Sequence, residues 1–542
     1  MHATRREFLG GLAAAGFVAQ RGPVFAAEEQ AAADLSAARR QAAWRRRRVI
    51  YNNDGDDIWS VGAKTVDGFL AARHVPLLGT QVDSIWYCTT QSFNLFTHQT
   101  EVAELFVTNE GPFSGNNLSA FLASGTDGLR MSAEFAKQHG LESFWSLRMN
   151  DIHDVREPRF RPQWKREDPR RIVGDPRTVE GLYERQDLWT LVDYEHPDVA
   201  PRVLAVIEEV LRNYPIDGLE LDFMRAPFYF RSHYLGQQVT DRQVEVLTEL
   251  VAAVRALVLR ESTRQRRPIL MAARVPATVA VGRRIGIDVQ AWLQARLLDV
   301  LALSGGYVAF DHPVRELIEL GHASDVPVYP CLSQSGLSDR PPRSLREEHQ
   351  PTSFWKGAAL RLWDEGADGM YTFNLFPDGS EQRRSYAIDV LSSIGSAEKL
   401  LDEERVFCIS DAQTTLAPMV WSKDAEAYAR ALPDLAGDGQ WATTPLATVG
   451  PLTIEGRPAR LELRLDFGGL ADGEDPPAIT WNGRQLAAPL RTEDVAQVKR
   501  YSFALDPASS RTGDNELAVQ TTRRNVQLLA AQLWILRPAE KG

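Results

Sequence analysis

A short apolar segment near the middle of the chain carries acidic residues that a buried strand would not normally contain. In residues 216–225, leucines alternate with Glu220 and Asp222, which is the period of a β-strand with two different faces. Burying two carboxylates on one face is costly unless they are paired or take part in chemistry. Neighbouring carboxylates also push each other's pKa apart, which suits one ionised group and one proton carrier. Glu220 and Asp222 are therefore candidate catalytic residues.

A second polar cluster occupies residues 148–154, which read Arg-Met-Asn-Asp-Ile-His-Asp. Arg148, Asn150, His153 and Asp154 are candidates for binding substrate hydroxyl groups, and Asp151 is a candidate catalytic residue. Three interpretations stay open for Asp151, His153 and Asp154: an acid–base group, the ligands of a hard cation, or the hydrogen-bonded anchor of a loop. The ten histidines of the chain show no zinc-binding spacing, so a zinc hydrolase is not expected.

The elements that must position these residues alternate regularly between strand and helix. Amphipathic stripes such as Val199, Val203, Ile207 and Val210 indicate helices between the apolar segments. Strict alternation predicts an α/β fold with a parallel sheet, and eight units predict a closed (β/α)8 TIM barrel. The predicted strands are 48–52, 82–87, 142–149, 216–224, 268–274, 298–304, 326–332 and 368–374.

Long connections follow several predicted strands, at residues 88–127, 150–197, 225–240 and 333–351. They all fall on the barrel face that carries active sites. Asp54, Asp56 and Asp57, after the first strand, are interpreted as turn and cap residues. The remaining candidates at strand ends combine amide, cationic, aromatic and acidic groups, a mixture typical of carbohydrate sites. They are Trp86, Arg225, Arg274, Tyr307, Asp311 and Asn374.

The pattern of apolar and polar residues changes after residue 405. From Ala459 to Phe467 apolar residues alternate with polar ones, and Asn482-Gly483 is a strong hairpin signal. Residues 405–538 are therefore predicted to form an all-β sandwich, jelly-roll-like, either carbohydrate-binding or structural. The barrel is predicted over residues 48–397.

The first residues indicate a targeting segment. Arg5 and Arg6 precede an Ala/Gly-rich stretch, which predicts a twin-arginine signal over residues 1–27 and export to the periplasm or the exterior. Residues 28–47 form a predicted arm that ends in a solvated basic run. The net charge of −11 argues against nucleic acid as a partner. No later apolar run could span a membrane, and the oligomeric state is not predicted.

Two stretches also carry a family resemblance. Residues 217–225, Asp-Gly-Leu-Glu-Leu-Asp-Phe-Met-Arg, together with residues 148–154, resemble the glycosyl hydrolase-like 10 family of bacterial barrels. The resemblance covers about residues 49–396 and implies carbohydrate hydrolysis without fixing the substrate. It implies a site at the carboxyl ends of the strands, with a carbohydrate as partner.

Related mechanisms do not transfer to this chain directly. Family-10 xylanases carry a glutamate at the end of strand seven, where this chain has no carboxylate, and Met224 replaces the catalytic glutamate of family-18 chitinases. An arrangement like that of α-galactosidases would pair Asp222 with Asp311. We expect Asp222 to meet the substrate, and Glu220, one layer deeper, to hold Arg148 or Arg274.

The sequence thus predicts an exported glycoside hydrolase. A catalytically silent carbohydrate-binding or scaffold protein on the same barrel is the alternative, because a second catalytic carboxylate is not identified. Apart from a cation at residues 151–154, no cofactor is expected.

Overall fold

The computed structural model describes residues 23–155, 161–175, 188–304, 313–333, 351–410, 432–471, 473–495 and 498–538. Eight parallel strands close a barrel, which confirms the predicted fold class. Each of the eight predicted strands is present, with ends that differ by up to two residues. The barrel strands are β1 Val49–Asn53, β2 Val82–Cys88, β3 Glu142–Arg148, β4 Gly218–Asp222, β5 Leu270–Val275, β6 Val300–Leu303, β7 Val328–Ser333 and β8 Met370–Phe373.

Helices surround the barrel and cover its lower end. Several begin at side chains that cap them; Thr240 and Gln243, for example, form a reciprocal capping box. The helices are α1 Pro23–Ala43, α2 Asp57–Ser60, α3 Val66–Arg73, α4 Leu118–Ala123, α5 Gly128–Gln138, α6 Gln163–Glu167, α7 Val199–Asn213, α8 Arg231–Tyr234, α9 Asp241–Gln265, α10 Val279–Arg284, α11 Val289–Gln294, α12 Arg315–Ala323, α13 Ser353–Asp364, α14 Glu381–Leu391 and α15 Ala397–Leu401. Among the described residues, no helix is both long and apolar enough to cross a membrane.

The interior of the barrel is filled by side chains from alternate positions of the strands, so it is a packed core. Alanines at the end of α1 join this cluster and close the amino-terminal face. The apolar stripe predicted for α7 is buried against the outside of the barrel. The interior cluster consists of Ile50, Trp86, Phe144, Leu270, Ala272, Val300, Ala302, Tyr329, Cys331, Tyr371 and Phe373, with Ala43.

The basic run at the end of the arm is not a solvated edge throughout, contrary to the prediction. Arg47 is fully buried beneath the barrel and donates to both carboxylate oxygens of Glu142, at 2.6 and 2.7 Å. It also donates to the carbonyl of Ala43 at 2.7 Å. Arg46, in the same run, is exposed. The sequence pattern failed here because one of four consecutive arginines has a buried partner far along the chain.

The carboxyl-terminal region consists of antiparallel sheets. Asn482 and Gly483, with φ values of 49° and 76°, connect two paired strands in the hairpin that the sequence predicts. The strands are β9 Arg405–Ser410, β10 Trp441–Thr448, β11 Thr453–Ile454, β12 Arg457–Pro458, β13 Arg460–Gly468, β14 Ala478–Trp481, β15 Arg484–Gln485, β16 Arg491–Val495, β17 Val498–Leu505, β18 Gly513–Gln520 and β19 Gln527–Leu536.

Two main sheets form this region, with strand orders β9-β19-β13-β17-β16 and β10-β18-β14-β15. The alternating apolar residues of β13 are buried, and the strand itself is paired with β17 on one side and β19 on the other. Helix α13 packs on β9, where a Cβ on Gly357 would lie 2.0 Å from the carbonyl oxygen of Val406. Phe354 of α13 also packs edge-on against Trp534, with ring centroids 5.4 Å apart. The sandwich therefore contacts the barrel directly.

Candidate active site

Three charged residues stand side by side on neighbouring strands at the carboxyl end of the barrel. Asp222 on β4 is the register partner of Arg148 on β3 and of Arg274 on β5. Arg274 donates to both oxygens of Asp222, from Nε at 2.9 Å and from Nη2 at 2.7 Å. The backbone N–H of Met224 donates a third hydrogen bond, at 2.8 Å. All three charged side chains are buried, and together they form the floor of the barrel mouth.

Glu220 lies one layer below Asp222, as the alternation of the strand predicts. The hydroxyl of Tyr371 donates to its Oε2 at 3.2 Å, and its Oε1 has no hydrogen-bond partner among the described residues. Burial, with the charge of Asp222 as a second cause, raises the pKa of Glu220 to about 8. The expectation that Glu220 holds Arg148 or Arg274 is wrong, because Asp222 binds Arg274 and two other carboxylates bind Arg148.

Arg148 joins the floor to the loops above it. It donates to Asp54 on the loop after β1, to Asp151 Oδ2 at 3.0 Å, and to the carbonyl of Thr90 at 2.9 Å. Burial alone would raise the pKa of Asp54, but the nearby guanidinium groups of Arg148 and Arg225 hold it below its usual range. The Asp54 side chain keeps 17% of its surface exposed, whereas that of Asp151 is fully buried.

His153 extends this chain of contacts to the solvent. Its Nδ1 lies 2.6 Å from Asp151 Oδ1, which also accepts a hydrogen bond from the backbone N–H of His153 at 2.9 Å. Its Nε2 lies 3.1 Å from Nη2 of Arg225. The pKa of Asp151 is held below its usual range because the pull of His153 and Arg148 outweighs the effect of burial. The His153 side chain is 45% exposed.

Sequence reasoning selected neither Asp54 nor Asp56 as a site residue, although Asp54 binds Arg148 and Asp56 lies on the same loop. Asp56 precedes α2, but its side chain makes no capping hydrogen bond within the described residues; it binds Arg73 instead. Burial and the charge of Asp54 raise the pKa of Asp56 in spite of Arg73. Its side chain is 34% exposed. Its position directly after a barrel strand was the signal that could have found it, since the same signal singled out Asp222.

Asp57 has the structural role that the sequence suggested. It is fully buried, and it accepts hydrogen bonds from Asn53 Nδ2 at 2.8 Å and from the hydroxyl of Tyr87 at 2.7 Å. It therefore anchors the start of α2.

Two residues of the second polar cluster also anchor loops. Asn150 donates to the carbonyls of Val192 and Phe228 at 3.1 and 2.7 Å. Asp154 is buried and accepts from Lys165 Nζ at 3.3 Å and from Thr190 Oγ1 at 3.0 Å. Of the three open interpretations of Asp154, its contacts match the loop anchor.

No group of three histidine, cysteine or acidic side chains that could hold a metal ion occurs within the described ranges. The carboxylates of the second cluster are instead engaged by cationic side chains, with Arg148 on Asp151 and Lys165 on Asp154. The chemistry of the described site is therefore that of carboxylates, guanidinium groups and one imidazole.

The remaining predicted site residues occupy different places. Trp86 lies inside the barrel, fully buried and stacked on Phe144 with ring centroids 4.5 Å apart. Asn374 follows β8 with a left-handed backbone, φ 54°. Tyr307 and Asp311 lie outside the described residues, so the pairing of Asp222 with Asp311 stays a prediction.

Fold and site together define a (β/α)8 barrel with a polar, partly open mouth. No family model matches the chain, and no curated protein matches it in sequence. The resemblance to the glycosyl hydrolase-like 10 family therefore stays a prediction.

Similar solved structures include those of glycoside hydrolases. A family 36 α-galactosidase, AgaB from Geobacillus stearothermophilus, shares 11% identity at a TM-score of 0.37, over 91% of this chain and 56% of that one. An Anoxybacillus α-amylase shares 10% identity at a TM-score of 0.37, over 89% of this chain and 99% of that one. The glycoside hydrolase domain of PgaB (BpsB) from Bordetella bronchiseptica shares 11% identity at a TM-score of 0.38, over 64% of this chain and 99% of that one. The chain thus spans little more than half of the α-galactosidase, and likeness at this level assigns no activity.

Proposed function

We propose that the protein is an exported glycoside hydrolase that acts on a polysaccharide or glycoconjugate through carboxylates at the carboxyl face of the barrel. One observation carries the proposal. Asp54 and Asp56, two residues apart on the loop after β1, are both partly exposed, and their pKa values are shifted in opposite directions. Two carboxyl groups whose surroundings separate their pKa values are what acid-assisted cleavage of an acetal requires.

The proposed chemistry divides the work between these two groups. Asp56, the group of raised pKa, gives its proton to the glycosidic oxygen as the bond between that oxygen and the anomeric carbon breaks. Asp54, held ionised by Arg148, stabilises the positive charge that develops at the sugar ring. Asp222 and Arg274 form a rigid floor beneath them, because their carboxylate and guanidinium groups neutralise each other.

Hydrolysis of a glycan panel by purified protein tests the proposal. Asp54→Asn and Asp56→Asn should each lower turnover at least 100-fold, and they should cost less stability than Asp222→Asn because Arg148 keeps Asp151 and Arg73 keeps Asp378 as a counter-ion. Asp83→Asn is the matched control, since Asp83 accepts two hydrogen bonds from the guanidinium and one from the backbone N–H of Arg48 at the opposite end of the barrel. If both mouth variants keep the activity of the wild type, the assignment of these carboxylates is wrong.

A catalytically silent carbohydrate-binding protein is the second candidate. It is favoured by the engagement of Asp54, Asp151 and Asp222 with arginines, which resembles a structural network more than a set of groups free to react. The same glycan panel separates the two candidates. Saturable binding with no released reducing ends supports the silent protein. If the protein neither binds nor hydrolyses any glycan, both candidates are wrong.

Export is the part of the proposal that rests on the sequence alone. The buried free thiols of Cys88, Cys331 and Cys408 agree with folding in a reducing cytoplasm before transport. Replacing Arg5 and Arg6 by lysine should leave the precursor in the cytoplasm of the producing cell. Normal export of that variant would contradict the proposed route.

A further inference from the structure

For the neutral ring of His153, the contacts of its two nitrogens indicate which of them carries the proton. Arg225 can only donate, so Nε2 of His153 must accept at 3.1 Å. The proton of the neutral ring then sits on Nδ1 and is donated to Asp151 Oδ1 at 2.6 Å. Asp151 in turn is held by Arg148, through its other oxygen, at 3.0 Å. A buried carboxylate therefore orients an exposed imidazole, whose basic Nε2 contacts Arg225, a cation that also acts on Asp54 at the mouth.

Charged groups surround this imidazole. Among the described residues, Asp151 and Asp54 are anions that act on it, Arg225 is a cation in contact with it, and Arg148 binds Asp151. Arg225 occupies the contact position at Nε2. A water or sugar hydroxyl that took the place of this contact would donate its hydrogen to Nε2. The arrangement of carboxylate, imidazole and hydroxyl is the one that activates a nucleophile in many hydrolases.

We propose that His153 is the proton acceptor of the site and that Asp151 is its positioning residue. The inference rests on the proposed glycoside hydrolysis and specifies its route. Nε2 takes a proton from water as the water oxygen bonds to the anomeric carbon, while the glycosidic oxygen leaves with the proton of Asp56. The step ends with an imidazolium and a carboxylate, which solvent resets by proton exchange. Because water attacks directly, the product has inverted anomeric configuration.

A matched control lies at the other end of the barrel. His322 is 38% exposed, and its Nε2 lies 2.8 Å from Asp368 Oδ2. It is thus a second partly exposed imidazole that contacts an aspartate, but Asp368 precedes β8 at the amino-terminal face. Replacement of this histidine removes the same chemical groups without touching the mouth.

The experiment uses the full-length protein and a glycan that the wild type hydrolyses. His153→Ala should lower kcat/KM at least 100-fold and remove the acid limb of its pH profile, and added imidazole should restore part of the rate. His322→Ala should leave both unchanged. NMR of the first product should show inversion. Asp151→Asn should also lower kcat/KM and change the pH profile, and NMR of labelled histidine should show the Nδ1–H form in the wild type.

The outcomes separate this inference from the proposed function. Hydrolysis that persists in His153→Ala with the pH profile of the wild type overturns the role of His153 and leaves the hydrolase proposal standing. A retained product, or the Nε2–H form of His153, overturns it as well. Failure of the wild type on every glycan overturns the proposed function, and with it the proton transfer inferred here.

Discussion

Arg274 donates two hydrogen bonds to the carboxylate of Asp222, and both side chains are almost completely buried. The rings of Phe373 and Tyr371 face the guanidinium at 4.4 and 5.7 Å from its carbon. The carboxylate is therefore the counter-charge that makes a buried arginine tolerable in the barrel. Breaking such a pair from one side leaves an uncompensated buried charge.

Asp222→Asn is consequently expected to destabilise the protein. Its free energy of unfolding should fall by about 3 kcal/mol or more, because Arg274 keeps its charge and loses its counter-ion. Chemical denaturation followed by circular dichroism measures the change. Asp83→Asn, which breaks a pair with the half-buried Arg48, should cost less than about 1 kcal/mol. Equal stability of wild type and Asp222→Asn would show that the pair is dispensable.

Glu220→Gln, in contrast to Asp222→Asn, should stabilise the protein at neutral and alkaline pH. The pKa of Glu220 is raised to about 8 in the folded protein, so the folded state holds a proton that the unfolded chain releases above its ordinary value of 4.5. The contribution of Glu220 to the free energy of unfolding is fully present below pH 4.5. It is lost as pH rises to about 8, at up to about 1.4 kcal/mol per pH unit. Glutamine mimics the protonated form, so the variant does not lose this contribution to stability as pH rises.

Urea unfolding of wild type and Glu220→Gln at pH 5, 7 and 9 measures this effect. The difference between the two proteins should be small at pH 5 and should favour the variant increasingly at pH 7 and pH 9. A variant that is less stable than the wild type by the same amount at every pH would mean that Glu220 is ionised in the fold.

The barrel could be predicted because its signals are local. Apolar strands, amphipathic stripes such as that of α7, and the Asn482-Gly483 turn each depend on residues close in sequence. The alternation of β4 likewise placed Glu220 and Asp222 on one inward face, one layer apart, which is where they lie.

The partners of the charged residues could not be predicted in the same way. Asp222 and Arg274 are 52 residues apart, and Arg47 and Glu142 are 95 apart. Which carboxylate meets which arginine depends on the register of neighbouring strands, and a change of one residue exchanges the faces. Asp54 and Asp56 were missed for a related reason, since the sequence of a turn and that of an acidic loop at a barrel mouth are alike.

Three buried histidines predict loss of stability in acid. Burial lowers the pKa of His74 to about 3, that of His98 to about 4 and that of His233 to about 3. The unfolded chain takes up protons on these rings below about pH 6.5, whereas the folded protein does not. Their contribution is therefore present above pH 6.5 and is lost as pH falls toward 4 and 3.

His74→Leu tests the acid effect at one site. His74 packs between the rings of Phe69 and Phe135, with centroids 5.5 and 5.6 Å away, so an apolar replacement keeps the contacts. Between pH 7 and pH 5 the variant should lose about 2 kcal/mol less stability than the wild type, because one proton fewer is taken up on unfolding. His139→Leu, at an exposed position, should follow the wild type. If the free energy of unfolding changes with pH in the same way for all three proteins, the prediction is wrong.

The last prediction concerns the arm, where Arg47 and Glu142 form a buried pair under the barrel. Arg47→Met should lower the free energy of unfolding by about 3 to 5 kcal/mol, because Glu142 is left buried with Ser84 as its only other described hydrogen-bond donor. Arg46→Met, next to it but exposed, should cost less than about 0.5 kcal/mol.

A double-mutant cycle shows whether the charge itself causes the loss. In Arg47→Met/Glu142→Leu no charge is stranded, so the double variant should be more stable than Arg47→Met alone, with a coupling of about 1 to 3 kcal/mol. If the two losses simply add, the arm is held by packing of its alanines and not by this pair. In that case removal of residues before 47 should destabilise the barrel as much as the double variant does.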